Sequence, residues 1–86
     1  MHDTFLNQNL YDAIVNLCKE SAIEKITKLA ITVHTHSHIS EGSIREYFAD
    51  RKNKLMGTWT NIVVDKKEIE PLTATIEQID GEKKNE

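Results

Sequence analysis

The side chains with the most chemistry to offer stand in two short stretches, Met1-His2-Asp3 at the start of the chain and His34, His36 and His38 within VHTHSH. The α-amine of Met1, the amide nitrogen of His2 and the His2 imidazole lie along one continuous backbone path. With the amide deprotonated, all three nitrogens close small chelate rings on a single ion, and a nitrogen or oxygen from residue 3 completes a planar set. Square-planar nitrogen and oxygen donors suit Ni(II) or Cu(II) better than zinc. Each donor must shed a proton to bind, so occupancy falls as pH drops. Initiator methionine is removed most readily before small residues, and the bulky His2 is expected to leave Met1 in place. The plain alternative is a histidine on a frayed terminus; a tag remnant would bring a run of histidines or a linker scar, and neither is present.

The second stretch spaces its histidines by two. In an extended strand His34, His36 and His38 would all project from one face, successive side chains standing ~6.5–7 Å apart. Imidazoles at that spacing can converge on one ion, and short histidine-rich tracts do bind metals. The plain reading is that His34 ends a strand on a solvated face while His36 and His38 enter a turn as ordinary polar residues.

The elements that must position these groups follow from periodicity. From Thr4 to about Lys19, Leu6, Leu10, Ala13, Ile14 and Leu17 recur at helical steps, with Asp3 or Thr4 as the cap and Cys18 and Ala22 extending the apolar side. Leu29, Ile31 and Val33 alternate with Ala30, Thr32 and His34, as in a strand with one buried face. A second helix is expected across ISEGSIREYFADRKNKLMG, with Ser40 as N-cap, Ile44, Tyr47, Phe48 and Leu55 inward, and Gly57 as its stop. TNIVVDKK and LTATIEQI read as two short strands, with Pro71 marking the bend between them. The expected fold class is α+β in the order α-β-α-β-β, two helices on one face of a small mixed sheet of about three strands. One domain is expected over 1–80, and GEKKNE, 81–86, reads as a disordered charged tail.

Composition narrows the function classes. The 86 residues make one modest core, and 38% apolar with 29% charged residues describes an ordinary globular chain. No apolar run approaches the ~20 residues of a membrane span. A net charge of −3 gives no broad reason to bind nucleic acid; Lys52, Lys54, Lys66 and Lys67 are scattered among acids, with Trp59 the sole base-stacking candidate beside them. The single cysteine, Cys18, closes no internal disulfide and reads as a small buried hydrophobe, which points to a reducing cytoplasm. Ser37, Ser40 and Ser43 lie near histidines without anything like a nucleophile elbow. Asp12, Glu20, Glu24, Glu41 and Glu46 read as helix-surface or helix-end charges with no pair that demands acid–base work. Trp59 and Tyr47 read as packing residues. No enzymatic constellation is expected.

MHDTFLNQNLYDAI resembles the start of the HypA-type nickel-incorporation proteins, metallochaperones of hydrogenase and sometimes urease maturation. These open with Met-His-Glu followed by an amphipathic helix. The resemblance continues through KITKLAITVHTHSHISEGSIREYF, where Lys25, Ile31, Ser40, Ile44 and Phe48 fit the pattern of a lysine-rich entry, alternating strand, turn and aromatic-bearing helix. It covers the first half of the chain well and the last third loosely. It implies that the terminus handles Ni(II) as transient cargo, with His2 the principal ligand, the Met1 amine and His2 backbone completing most of the site, and Asp3 an auxiliary. It also implies a nickel-dependent GTPase or the apo-hydrogenase as partner. The family's zinc-binding insertion, with its paired Cys-x-x-Cys motifs, is absent; EIEP joins the flanking strands directly, so no structural zinc is expected. Asp3 replaces the usual glutamate, keeping the charge on a shorter side chain. Beside this reading stand a metal-free interaction module, dimerising through a free sheet edge, and metal storage or sensing through His34, His36 and His38.

Overall fold

The computed structural model describes residues 4–83, with Thr4 and Phe5 described by their backbone alone. Five elements follow one another: α1 (Thr4–Ser21), β1 (Ile23–His34), α2 (Glu41–Asp50), β2 (Asn61–Lys67) and β3 (Ala74–Lys83). The class is α+β, with two helices and a three-stranded mixed sheet in the order β2-β1-β3. The central β1 pairs parallel with β2 and antiparallel with β3. No helix among the described residues is long and apolar enough to cross a membrane.

One face of the sheet carries Leu29, Ile31 and Val33, all at most 1% exposed. Beside them stand Ile62 and Val64 in β2, and Ile79, Ile76 and Ala74 in β3. The helices cover this face. Helix α1 contributes a stripe at steps of four, Leu6, Leu10, Ile14 and Cys18, and α2 contributes Ile44 and Phe48. The sequence expectation differs slightly here: Ala13 is exposed and Leu17 half-buried, while Cys18 is in the core as expected. The helices meet through Tyr11, whose ring is edge-on to Tyr47 and Phe48 at 5.4 and 4.8 Å between centroids.

Helix α2 begins where expected. The Ser40 hydroxyl accepts from Ser43 N–H, and Ser43 Oγ accepts from Ser40 N–H, a reciprocal cap. It ends well before Gly57. The N–H of Lys52 bonds Ala49 O and that of Asn53 bonds Phe48 O, while Lys52 sits in the left-handed region at φ 54°. This is a Schellman closure built without glycine.

The strands run longer than their alternation shows. β1 starts at Ile23, and register shifts at Ile23/Lys25 and Ile26/Lys28 bury Ile23, Ile26 and Leu29 at steps of three. Bulges of this kind break the two-residue period. β3 follows β1 to its start, pairing Gly81 with Ile26, Glu82 with Lys25 and Lys83 with Ile23. Residues 81–83 are therefore strand, not tail, while 84–86 lie outside the described residues. A side chain at Gly81 would overlap the Lys25 carbonyl oxygen, so this close approach requires glycine.

Candidate metal site

Met1, His2 and Asp3 lie outside the described residues. Helix α1 ends at Ser21, and only Ala22 separates it from β1, so its carboxyl end lies at the amino end of β1. Its first turns, Asn7, Leu10 and Tyr11, line a crevice with Ile44, Tyr47 and Phe48 of α2, and α2 starts just after β1 ends. The first turns of α1 meet the later turns of α2, where Tyr47 and Arg51 reach Gln8, and α2 itself opens at the carboxyl end of β1. That end also carries His34, His36 and His38.

The three histidines do not share a strand face. β1 stops at His34, and a backbone bond from Ser37 N–H to His34 O at 2.9 Å closes a turn. The His36 N–H donates to His34 Nδ1 at 3.1 Å, which a further extended strand would forbid. His34 is half-buried, and His36 and His38 are exposed. The turn tilts the His34 and His36 rings toward each other, 5.4 Å between centroids at 48°. No group of three or more His, Cys, Asp or Glu among the described residues is arranged to hold one ion. The three histidines expected on one strand face are therefore not so arranged: His34 ends the strand, His36 lies in the turn and His38 beyond it, as in the plain alternative.

The surroundings of the turn are polar and mostly solvated. Thr35 N–H bonds Lys67 O at 3.0 Å, tying the turn to β2, and the Thr35 hydroxyl donates to Glu68 Oε2 at 3.0 Å. Lys66 Nζ donates to Ser37 O at 2.9 Å, and Ile39 N–H to Ser37 Oγ at 3.2 Å. Ile39 itself is fully buried and anchors the loop to the core. The serines near the histidines thus serve as turn and cap residues.

Of the remaining candidates expected to pack, Cys18 is buried and Tyr47 half-buried, whereas Trp59 is exposed. Cys18 is a free thiol in the core, and burial pushes its pKa above the ordinary thiol value. It lines a cleft of about 240 Å³ with Val15, Lys19, Ala22, Ile23 and Leu55. Trp59 lies beneath the Lys25 ammonium at 5.0 Å, its rim against Gly57. Tyr47 stacks under the Arg51 guanidinium at 3.5 Å and donates its hydroxyl proton to Gln8 Oε1.

Two residues that the sequence does not single out hold the connection between α2 and β2. Arg45 donates to the carbonyls of Gly57 and Thr60 and pairs with Glu41 at 2.9 Å. The buried Thr60 hydroxyl donates to Ile26 O at 2.7 Å and accepts from Gly57 N–H at 3.1 Å. The carbonyls to which they donate, those of Gly57, Thr60 and Ile26, are distant in sequence from the donors, so no local spacing signals them.

Compared with family models, curated proteins and solved structures, the chain finds no match in any of the three.

Proposed function

We propose that this chain is a HypA-like nickel-binding accessory protein that carries Ni(II) as cargo toward a nickel enzyme such as hydrogenase. The Met1 α-amine, the His2 amide and the His2 imidazole are the donors, with Asp3 the auxiliary. The feature that supports this most directly is the run of donors along consecutive backbone atoms of Met1-His2-Asp3, immediately before α1. The amino end of α1, which follows the ligand set directly in the chain, carries partial positive charge. The deprotonated His2 amide and the Asp3 carboxylate are anionic donors that offset it, which favours the chelate over neutral imidazoles alone.

The ligand set does not itself choose nickel. Cu(II) binds nitrogen donors more tightly than Ni(II), so selection rests on which ion the surroundings supply. The reading places the protein in the cytoplasm, with a nickel-dependent GTPase or the apo-hydrogenase as recipient, docked on the outer surface of α1. A metal-free dimerising module is the competing reading, and it is favoured by the two outer strands, β2 and β3, each of which has one edge unpaired in the sheet.

Calorimetric nickel titration at neutral pH decides between them, on protein with its native Met1, its His2→Ala variant, and protein extended by one residue before Met1. One tight site lost in both altered proteins, with unchanged circular dichroism, is the expected result. Affinity that survives both changes, or an absence of binding in all three, removes the terminal chelate.

A further inference from the structure

We propose that His34 and His36 form a second cation site, separate from the chain terminus, which takes a borderline divalent ion such as Zn(II) on two imidazoles with water completing the shell. The argument starts from the rings. Two imidazoles bound to one ion through bonds of ~2.0–2.1 Å, at a near-tetrahedral angle, hold their centroids about 5.2 Å apart, against about 4.5 Å for neighbours in a square plane. The turn already holds the His34 and His36 rings 5.4 Å apart. The spacing of the rings is within reach of one tetrahedral ion, whereas the terminal nitrogens suit a planar one. His36 is exposed and His34 half-buried, which leaves the outer positions open to water.

The same turn gives the site a signature. A neutral imidazole has one bare nitrogen, and in His34 that nitrogen is Nδ1, which accepts the His36 N–H at 3.1 Å. An ion bound at Nδ1 displaces this amide. An ion bound at Nε2 moves the ring proton onto Nδ1, which then no longer accepts. By either route the His36 N–H loses its partner when the ion arrives. The charges around the turn are mixed: Lys67 is the cross-strand neighbour of His34, Lys66 reaches Ser37 O, and Glu68 is held by Thr35. Two ammonium groups against one carboxylate make this the weaker of the two sites.

The test uses zinc chloride on full-length His2→Ala protein, so that the terminal chelate plays no part. Binding is followed by calorimetry and by the nitrogen–proton spectrum of the His36 amide. The expected result is one saturable site, with the His36 amide and both imidazoles shifting together. Removing a ligand should cost more than the ~10–100-fold typical of groups that only orient one, so His34→Ala and His36→Ala should each abolish measurable binding, while Thr35→Ala should retain it. The His36→Ala protein keeps the reporting amide, and without an ion that amide should remain bonded to His34. Absence of zinc binding, binding unchanged in either histidine variant, or a response from one imidazole alone overturns the proposal. Because nickel binding at the terminus is read on native Met1 protein, failure of either site is visible without the other.

Discussion

At the amino end of β1 the connection from Arg51 to Thr60 is fastened from three sides, whereas at the carboxyl end the turn from Thr35 to Ser40 is held by bonds that water can replace. In the first, Arg45 grips two carbonyls, the Thr60 hydroxyl bridges Gly57 N–H and Ile26 O, and Leu55 O accepts from Ile26 N–H at 2.7 Å. In the second, most polar contacts are exposed, and Ile39 alone of the turn is buried in the core. Buried polar networks are costly to break because each orphaned group loses its water as well as its partner. An exposed bond costs little to lose, since solvent takes its place. The fold therefore concentrates its polar stability at one end and leaves the polar contacts of the other open to exchange with solvent.

That contrast can be broken at its strong end first. Thr60→Val keeps the shape and deletes the hydroxyl, leaving Ile26 O and Gly57 N–H without their shared partner. The expected loss is about 2–4 kcal/mol, one to two unsatisfied buried groups, read as a lower urea midpoint at constant m-value. A loss below about half a kcal/mol would mean that water enters there and that the two ends do not differ. Arg45→Met comes next. It releases two half-buried carbonyls while keeping the aliphatic stem, and about 1.5–3 kcal/mol should go. The Glu41 pair at the exposed edge adds little to that figure.

Cys18 sharpens the comparison by pH. Its thiol, buried at the amino end, titrates above the ordinary value because burial penalises the thiolate. The unfolded chain releases this proton at a lower pH than the folded chain does. Stability is therefore full below the ordinary thiol pKa of ~8.5 and declines as pH rises through it, by up to about 1.4 kcal/mol per pH unit for one proton. Cys18→Ala lowers stability at neutral pH through the lost packing, yet its stability profile should be flatter between pH 8 and 10 than that of the parent. Parallel profiles would show that the thiol ionises as freely folded as unfolded.

Much of this architecture is readable from residue spacing, and the exceptions have physical causes. The order of the five elements follows from apolar periods of 3.6 and 2. The start of α2 is announced by Ser40, whose hydroxyl has one obvious use there. Its end is hidden, because Lys52 takes the left-handed position that a glycine would have marked. The first half of β1 is hidden for another reason: two bulges turn its buried positions into steps of three, and the length of β3 is hidden with it. At the candidate site, Met1-His2-Asp3 lies outside the described residues, and its reading as a chelate rests on consecutive backbone atoms alone. The histidine tract is legible as chemistry but not as geometry. The period of two holds only while the strand continues, and the bond from Ser37 N–H to His34 O ends it. Arg45 and Thr60 act through carbonyls that no local pattern contains.

The helix end that spacing conceals is also open to improvement. A residue with a Cβ in the left-handed region costs roughly 1–2 kcal/mol, and glycine relieves it while giving back some unfolded-state entropy. Lys52→Gly should raise stability by about 0.5–1 kcal/mol and lengthen the protection of the last α2 amides from hydrogen exchange. Loss of stability would mean that the Lys52 side chain makes a contribution larger than the strain.

The smallest effect belongs to the weak end. His36→Ala removes an exposed ring that tilts toward His34, and the substitution leaves the bond from the residue 36 N–H to His34 Nδ1 intact. The stability change should lie within about 0.5 kcal/mol, as for surface substitutions in general. A ring that contributes this little to the fold is free to be judged by what it binds. If His36→Ala instead costs as much as Arg45→Met, the two rings are part of what holds the turn, and an ion that rearranged them would have to work against the fold. Near-zero cost, together with loss of zinc binding in the same variant, would separate structure from ligand binding at this end of the sheet, in contrast to Thr60 and Arg45, which hold the chain at the other.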